Sequence, residues 1–484
     1  MTAIVPIFAT GLSGLDAVLG GGLTRRALVV IIGVPGAGKT VLASQIVFTA
    51  ARAGEQALIF TSYSEGNAQY IEHMRSFDFF DESMLGNNVQ LLTFDSQLAE
   101  NDTSVAGAIA RTIRSSGAKL VLIDGFQSIG GRLGTDEPAF LAALATQIRY
   151  LDATLLVTVA GDIRDPRFYA ELTVSDVAIG LLYTTTGRRH QRLLDIVKQR
   201  GRGQRPGLHS YQITAAGVEV FPRIESYDVK SALLINAGRA PFNLAELDLV
   251  LGGGPNVGTT TLLAGAPGVG KTVLGLHWAL VDATPERRTL FICFAEQEGQ
   301  LLVKAAAFSI DLRAAQAGGV VTIRRFHSFD LDPDLVANTI LHELSHGTVA
   351  RLVIDDLTIL LHELGDRARD YLSALNDQLY AYQVTTLYMY EILPFEGLRV
   401  NIPNSPLSVF GDNVVVIQQY EIMGELRRML AVLRMRLSAF DRTLREFILT
   451  EEQISVLRPE ESQAGLLSSA AQQSGGTAPP TAVV

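Results

Sequence analysis

Cysteine is almost missing from this sequence, since Cys293 is the one cysteine among 484 residues. A single thiol cannot form an intramolecular disulfide, so the fold does not depend on an oxidising compartment. Because Cys293 lies in the apolar run "TLFICF", we expect a buried strand thiol and not a reactive one.

Long uninterrupted apolar runs are missing as well. One of the most apolar stretches, "RALVVIIGVPGAGKT", is too short for a membrane span and contains glycine, proline and lysine. The opening stretch, "MTAIVPIFATG", lacks the basic start and long apolar centre of a secretory signal. We therefore expect a cytoplasmic protein without membrane association.

An excess of basic residues is also absent, because 40 Lys and Arg stand against 50 Asp and Glu, for a formal net charge of −10. The chain as a whole does not attract a nucleic-acid backbone, so a nucleic-acid partner is not expected. What the sequence does contain is 48% hydrophobic residues, which is typical of a globular protein. Its length exceeds that of one hydrophobic core and favours two sizeable domains.

The main internal feature is a repeat. "GLDAVLGGGLTRRALVVIIGVPGAGKTVLASQIV" matches "ELDLVLGGGPNVGTTTLLAGAPGVGKTVLGLHWA", and further along "KLVLIDG" matches "RLVIDDL". This duplication predicts two copies of one domain, at residues 1–228 and 229–458. Residues 459–484, rich in Ser, Gly, Ala and Pro, are predicted to be a flexible low-complexity tail.

Short apolar runs alternate with helical patterns in both halves. Unbroken apolar strands separated by helices predict an α/β fold, in which a mainly parallel sheet is covered by helices on both faces. In the second half the strands are expected at "TTLLAG", "TLFICFA", "VVTIRRF", "RLVIDD" and "TTLYMYE". In the first half they are expected at residues 27–33, 56–62, 89–94, 119–124 and 154–160.

Each half carries a glycine-rich loop, "GVPGAGKT" at 33–40 and "GAPGVGKT" at 265–272. In such a turn between a strand and a helix, the backbone N–H groups point at an anion. Lys39 and Lys271 would then reach the β- and γ-phosphates, while the hydroxyls of Thr40 and Thr272 would hold Mg²⁺. The predicted nucleotide contacts are Gly36, Ala37, Gly38, Lys39, Thr40 and Val41 in the first loop, and Gly268, Val269, Gly270, Lys271, Thr272 and Val273 in the second.

A phosphate loop usually works with an acid at the end of a neighbouring strand. "KLVLID" ends at Asp124 and "RLVIDD" reaches Asp355, at nearly the same distance after each loop. A single aspartate at a strand end is mostly structural, but the repetition predicts a magnesium ligand in each half.

With these motifs, the stretches "GLSGLDAVLGGGL", "VKQRG", "GVEVFP", "QQYEIMGELRRMLAVLRMR" and "REFILTEE" resemble the KaiC family of circadian-clock ATPases and autokinases. The resemblance covers roughly the first 450 residues in matched order. It implies two tandem RecA-like P-loop ATPase domains that use ATP and Mg²⁺. It also implies a homo-hexamer in a double ring, and regulatory or signalling protein partners.

In that family each ATP lies between neighbouring subunits, held by the loop of one and by basic residues of the next. Strand alternation puts Lys198 and Arg200 on one face, and likewise Arg434 and Arg436, as a phosphate clamp requires. The alternative is a solvated basic edge strand. The matching basic residues here are Lys198, Arg200, Arg428, Arg434 and Arg436.

The sequence departs from the family where two adjacent glutamates are expected, the first of which activates the attacking water or hydroxyl. Ser64 and Ala295 occupy that first position, and Glu65 and Glu296 follow. Loss of a positioned base costs roughly 10² to 10⁴ in rate, whereas positioning and charge stabilisation remain. Nucleotide binding is therefore expected to survive better than turnover.

Three interpretations of Glu65 and Glu296 stay open. They act as substitute bases or hold a metal-bound water; they are helix-start carboxylates stabilised by the dipole; or the match slips by one residue. Under the first interpretation both glutamates are catalytic, and the predicted catalytic residues are Lys39, Glu65, Asp124, Lys271, Glu296 and Asp355. The predicted metal ligands are then Thr40, Asp124, Thr272, Glu296 and Asp355.

The family phosphorylates an adjacent Ser-Thr pair in its second domain. Here Ser408 takes the serine position and Val409 replaces the threonine, so Ser408 is either a phosphoacceptor or an ordinary loop serine. Phe308 takes the place of an aromatic that borders the nucleotide, and Ser76 lies at the neighbouring position in the first half; the alternative is a core position, since helix aromatics are usually core.

Three functions compete. The leading hypothesis is an ATP-binding double ring with slow ATP hydrolysis and serine autophosphorylation in the second domain. The second is a pseudo-ATPase scaffold in which ATP joins subunits, suggested by Ser64 and Ala295. The third is a RecA-like DNA-repair ATPase, against which the net acidity and the lack of an evident basic, glycine-rich DNA loop argue.

Overall fold

The computed structural model divides the chain into two compact units, Met1–Tyr227 and Asp228–Val484, called unit 1 and unit 2 below. Several sequence predictions fall on residues that lie outside the described part of the structure: Ser64, Glu65, Ser408, Val409, the boundary stretch 229–237 and the tail 459–484. The described residues are 6–61, 66–93, 105–127, 137–186, 189–228, 238–392, 411–422, 424–451 and 453–458.

Unit 1 is built on a nine-stranded sheet with the order β11-β10-β9-β8-β3-β7-β6-β4-β5, beside a two-stranded sheet of β1 and β2. The strands from β8 to β5 in this order are parallel, and β8, β9, β10 and β11 follow one another as antiparallel neighbours. The strands are β1 Ile7–Phe8, β2 Leu23–Thr24, β3 Leu28–Gly33, β4 Ala57–Thr61, β5 Val89–Thr93, β6 Leu120–Ile123, β7 Thr154–Ala160, β8 Val177–Thr186, β9 Arg189–Gln199, β10 His209–Thr214 and β11 Gly217–Phe221.

Helices cover both faces of this sheet, which is why β3, "LVVIIG", is buried along its whole length. Val29 and Ile31 pack in one core with Ile46 of α2, while Val30 and Ile32 pack on the other face with α4 and α5. The helices of unit 1 are α1 Ser13–Val18, α2 Lys39–Arg52, α3 Asn67–Met74, α4 Val105–Ser116, α5 Glu137–Tyr150 and α6 Tyr169–Val174.

Unit 2 repeats the plan with a nine-stranded sheet of order β14-β13-β15-β16-β12-β17-β18-β19-β20. Its first six strands in this order are parallel, and the last three are antiparallel to their neighbours. The strands are β12 Thr260–Gly265, β13 Arg288–Cys293, β14 Val321–Arg325, β15 Val349–Asp355, β16 Thr385–Glu391, β17 Asn413–Ile422, β18 Glu425–Met435, β19 Arg445–Leu449 and β20 Ile454–Leu457.

The core of unit 2 includes Leu263 of β12, Phe291 of β13 and Trp278 of α8. Cys293 is buried at the end of β13, where burial raises the pKa of its thiol to about 12, so the prediction of a buried strand thiol is confirmed. The helices are α7 Ala245–Val250, α8 Lys271–Leu280, α9 Glu298–Ala307, α10 Leu312–Ala317, α11 Pro333–Ser345, α12 Leu357–Leu364 and α13 Ala368–Ala381.

The predicted fold class is confirmed: two large, mainly parallel sheets flanked by helices, arranged as tandem RecA-like domains. One detail of the prediction was wrong. The acid-bearing strand is not the immediate neighbour of the loop strand, because β7 lies between β3 and β6, and β16 lies between β12 and β15. Among the described residues, no helix combines the length and the apolar character that crossing a membrane requires.

Candidate nucleotide-binding sites

The loop of unit 1 joins β3, which ends at Gly33, to α2, which begins at Lys39. Gly36 (φ +80°) and Gly38 (φ +88°) adopt left-handed conformations that glycine tolerates at little cost. A Cβ on Gly36 would meet no atom within 4 Å, whereas one on Gly38 would collide with Ile213. The loop is therefore open to solvent at Gly36 and packed against β10 at Gly38.

Lys39 lies folded over this loop. Its Nζ donates a hydrogen bond of 3.2 Å to the Val34 carbonyl oxygen. Burial lowers the pKa of Lys39, and the nearby Asp124 carboxylate opposes that shift. An anion beside the loop would give this half-buried ammonium a partner of opposite charge.

Thr40 and Asp124 are brought together although 84 positions separate them. The Thr40 hydroxyl lies 3.1 and 3.0 Å from the two carboxylate oxygens of Asp124. Thr158 of the intervening strand β7 donates a bond of 2.6 Å to the same carboxylate. Asp124 is only 6% exposed, so these hydroxyls hold it in a fixed orientation beside the start of α2.

Tyr211 of β10 contributes to the loop although no sequence motif predicts it. Its buried hydroxyl donates a bond of 2.6 Å to the carbonyl oxygen of Ala37, inside the loop. No local pattern marks this residue, because the contact joins positions 174 apart and depends on the place of β10 in the sheet.

The loop of unit 2 has the same construction. Gly268 (φ +77°) faces open space, and a Cβ on Gly270 (φ +102°) would lie 2.8 Å from Leu449 and 3.2 Å from Phe447. Lys271 Nζ donates bonds of 2.8 and 3.0 Å to the carbonyl oxygens of Gly265 and Ala266. Burial lowers the pKa of Lys271, against the effect of nearby carboxylates.

Thr272 and Asp355 form the second hydroxyl–carboxylate pair, at 2.8 Å. Burial raises the pKa of Asp355 to about 6, with smaller raising contributions from the charges of Asp356 and Glu296. The hydrogen bond from Thr272 and the charge of Lys304 act in the opposite direction. A cation beside Asp355 would favour its charged form.

Ala295 and Glu296 lie where β13 leads into α9. Ala295 is exposed, and the Glu296 carboxylate forms a short ion pair with Lys304 of α9. The other oxygen of Glu296 is buried without a hydrogen-bond partner among the described residues. Glu296 directly precedes Gln297, the N-cap residue of α9. Because its charge raises the pKa of Asp355, Glu296 lies near the magnesium-ligand candidate of unit 2.

Four of the five predicted clamp residues, all except Arg428, lie away from the loops of their own units. Lys198 of β9 pairs with Ala178 of β8, and Ala178 in turn pairs with Val30 of β3. This pairing places Lys198 towards the amino end of the parallel strands, whereas the glycine-rich loop follows the carboxyl end of β3. Lys198 and Arg200 both donate to the Thr173 carbonyl oxygen. In unit 2, Arg434 donates to the Gly411 carbonyl oxygen and Arg436 pairs with Asp412 at 3.1 Å.

A β-bulge precedes the first clamp residue in each unit. The register shifts between Ala178 and Ile179, so Val197 has no partner, and between Val414 and Val415, so Leu433 has none. Both bulged side chains are exposed. Bulges re-aim the side chains that follow, and both units use one at the same place.

Arg428 is not brought together with Arg434 and Arg436. Arg428 of β18 pairs with Gln419 of β17, which lies two residues beyond Ile417, the partner of Gly265 at the end of β12. Arg434 lies six residues further along β18, at a distance of about 20 Å. Arg192, which the sequence prediction omitted, takes the same place in unit 1, opposite Tyr183. Within the described residues, Nε of both arginines is buried without a hydrogen-bond partner. The match of "QRLLDIVKQR" to "RRMLAVLRMR" could have revealed Arg192.

The predicted base-bordering residues lie at the ends of α9 and α3. Phe308 is the half-buried C-cap residue of α9. Ser76 is exposed and donates to the His73 carbonyl oxygen at 2.9 Å. The counterpart of Phe308 in unit 1 is Phe77. The backbone N–H of Phe308 donates to the Ala305 carbonyl oxygen, and that of Phe77 donates to the Met74 carbonyl oxygen, three residues earlier in both cases.

The residues present fit a triphosphate with a hydrated magnesium ion. Each loop offers an open face at its second glycine, a lysine whose pKa burial lowers and a hydroxyl that is hydrogen-bonded to a carboxylate. Among the described residues, no group of three or more His, Cys, Asp and Glu could hold a metal ion by itself. Magnesium would therefore depend on nucleotide oxygens and water as well as on Thr and Asp.

These features define a protein with two tandem RecA-like P-loop domains. The family model described as "ATPase: KaiC" matches residues 8–225 and again residues 241–461. The chain therefore belongs to the KaiC ATPase family. Membership supports ATP binding and ATPase chemistry at the level of the family.

The chain is also similar to three proteins described as circadian clock oscillator proteins KaiC or KaiC 1. It is 26% identical over 461 residues to that of Picosynechococcus sp., covering 91% of this chain and 88% of the relative. For Synechococcus elongatus the identity is 24% over 462 residues, with 92% and 87% covered. For Synechocystis sp. it is 25% over 464 residues, with 92% and 87% covered.

Proposed function

We propose that both units bind MgATP and that the protein hydrolyses it slowly. The observation that carries this proposal is the duplicated site: in each unit a lysine folds over an open glycine loop, and the next residue's hydroxyl bonds to the carboxylate of an aspartate at a strand end. Two copies of this arrangement in one chain are expected of a nucleotide-binding repeat and not of two chance turns.

Each residue of the site has a role in this proposal. Loop N–H groups and the start of α2 or α8 hold the phosphates, and Lys39 or Lys271 exchanges its backbone carbonyl partners for phosphate oxygens. Thr40 with Asp124, and Thr272 with Asp355, orient a magnesium ion and its water. Magnesium, when bound, neutralises charge on the β- and γ-phosphate oxygens.

We also propose that the clamps act between subunits of a homo-hexameric double ring. Lys198 and Arg200 lie at the amino end of the strands and so cannot complete the loop site of their own unit. A neighbour whose clamp faced the open side of the loop would supply the positive charge that phosphoryl transfer needs. Regulatory or signalling proteins would act on this ring.

Slow turnover follows from the exposed methyl group of Ala295 at the position of the expected base. Glu296, held by Lys304 and close enough to Asp355 to raise its pKa, is the substitute base or water-positioning group in unit 2. Glu65 would take this role in unit 1, and Ser408 would be the acceptor of autophosphorylation.

Calorimetry with MgATP and release of radioactive phosphate, together with labelling of the protein, test the proposal. We expect two nucleotides per chain, and loss of one with each of Lys39→Ala and Lys271→Ala. If the wild type released phosphate no faster than a variant carrying both Lys39→Ala and Lys271→Ala, the proposed ATP hydrolysis would be overturned. If the wild type bound no MgATP, the whole proposal would be overturned.

A second candidate function is a pseudo-ATPase scaffold in which ATP joins subunits without turnover. Ala295 favours it, because a methyl group cannot accept a proton. Light scattering with and without ATP separates the two. Rings that assemble with ATP while no phosphate is released support the scaffold, and assembly indifferent to nucleotide argues against it.

A further inference from the structure

Two histidines four residues apart lie at the end of α11 in unit 2. His342 is in the last turn of the helix, and His346 is its C-cap residue. Both side chains are exposed. Residues 342–346 read "HELSH", a His-Glu-x-x-His pattern that places two imidazoles on one helix face, where they bind zinc in metallopeptidases.

The ring separation suits two ligands of one ion. The His342 and His346 ring centroids are 4.8 Å apart. With a metal–nitrogen distance of about 2.0–2.1 Å, each centroid lies about 3.2 Å from the ion. Ligand angles of about 90° to 109° then give centroid separations of about 4.5 to 5.2 Å, and the observed value falls inside this interval.

The hydrogen bond of His346 also fixes a ligating tautomer. Its Nδ1 lies 2.9 Å from the His342 carbonyl oxygen, which can only accept, so Nδ1 carries the proton and Nε2 keeps its lone pair. Metal-bound histidines usually donate their second N–H in this way. Within the described residues, no hydrogen bond occupies either ring nitrogen of His342.

The glutamate of the pattern is turned away from the histidines. Glu343 is 6% exposed and forms ion pairs with Arg288 of β13 at 2.7 Å and Arg324 of β14 at 2.5 Å. A carboxylate held by two arginines beneath the helix cannot activate a water molecule on its exposed face. The site therefore lacks the general base of a peptidase.

We propose that His342 and His346 form a surface site for one divalent ion of the zinc class, such as Zn²⁺, Ni²⁺ or Cu²⁺, with water completing its coordination. Imidazole prefers these borderline ions, whereas the oxygen ligands of the nucleotide sites suit Mg²⁺. The matching helix of unit 1, α4, contains no histidine, so one ion per chain is expected.

Calorimetric titration of the tag-free full chain with Ni²⁺ or Zn²⁺, in millimolar Mg²⁺ and without nucleotide, tests this site. We expect one ion per chain, and His342→Ala and His346→Ala should each lower the affinity at least about tenfold. His362→Ala is the matched control, because His362 is exposed on α12 without a second histidine one turn away, and it should change nothing.

Two further readouts make the outcome decisive. Bound Cu²⁺ should show electron paramagnetic resonance couplings to two nitrogens in the wild type and to fewer in each single variant, while the fluorescence of buried Trp278 shows that the variants are folded. No peptidase activity should accompany zinc. Equal binding by the double variant, or no binding by the wild type, would overturn the proposal.

Discussion

Tyr211 of β10 donates its hydroxyl hydrogen to the Ala37 carbonyl oxygen at 2.6 Å, which ties the phosphate loop of unit 1 to the antiparallel part of its sheet. Unit 2 does this differently. Phe447 of β19 occupies the position that corresponds to Tyr211 of β10. Its ring packs against the loop at Gly270, but it has no hydroxyl group that could donate a hydrogen bond. The two loops share a backbone path but have different anchors.

We predict that Tyr211→Phe weakens nucleotide binding by unit 1. The substitution leaves a loop carbonyl without its partner, which costs about 1 kcal/mol and corresponds to about a fivefold loss of affinity. A fluorescent ATP analogue titrated into a Lys271→Ala background reports unit 1 alone.

Tyr183→Phe is the matched control, because Tyr183 is 39% exposed and no hydrogen bond of its hydroxyl is found among the described residues. It should leave the affinity unchanged. Equal affinity of the Tyr211→Phe variant and its parent would show that the loop does not need this anchor.

Glu296→Gln is predicted to lower the ATP hydrolysis of unit 2 by about 10² to 10⁴. The amide keeps the size of the side chain but can neither accept the proton nor pair with Lys304 as a charge. Phosphate release is measured in a Lys39→Ala background, with Glu298→Gln as the control at an exposed glutamate of the same helix start. If both variants hydrolyse ATP like their parent, Glu296 is not the base.

Asp355→Asn should stabilise unit 2 at pH 7 in the absence of Mg²⁺ and nucleotide. Burial raises the pKa of Asp355 from 3.8 to about 6, so the folded state binds the proton more tightly than the unfolded state. Stability therefore rises as pH falls from 7 through 6 towards 4, and the charged form costs about 2 to 3 kcal/mol at pH 7.

Urea unfolding followed by Trp278 measures this effect in unit 2, because the chain has one tryptophan and it is buried there. The variant should lose the pH dependence between 4 and 6 that the wild type shows. Asp311→Asn, at an N-cap where Asn serves as well as Asp, should keep it. A wild-type profile flat over this interval would contradict the prediction.

Mixing two inactive variants should restore activity if the clamps act between subunits. One chain carries Lys39→Ala and Lys271→Ala; the other carries Lys39→Ala with Arg434→Ala and Arg436→Ala. An intact loop of the second chain can meet an intact clamp of the first, so about a quarter of the sites recover in an equal mixture. Phosphate release that stays at the level of the separate chains would place the clamp within one subunit or outside the reaction.

Much of the fold was readable from the sequence because its signals are local. Apolar runs predicted β3 and β12 to within a residue, and the glycines of both loops predicted the turns that follow them. The hydroxyl–carboxylate pairs were also anticipated, although their strands are separated by β7 and β16. Strand order is a long-range property, and no short motif encodes it.

Chain pattern alone therefore determined the duplicated α/β plan, the two phosphate loops and the identity of the acids beside them, since each depends on residues close together or on the repeat. Only the tertiary structure decided which groups meet. The sheet register places Lys198 at the end of the sheet opposite to its own loop, and the strand order brings Tyr211 next to Ala37. Glu343 is buried beneath its helix by ion pairs with two arginines, whereas the neighbouring histidines are exposed. Such contacts join positions up to 174 apart, and the packing of whole strands and helices sets them.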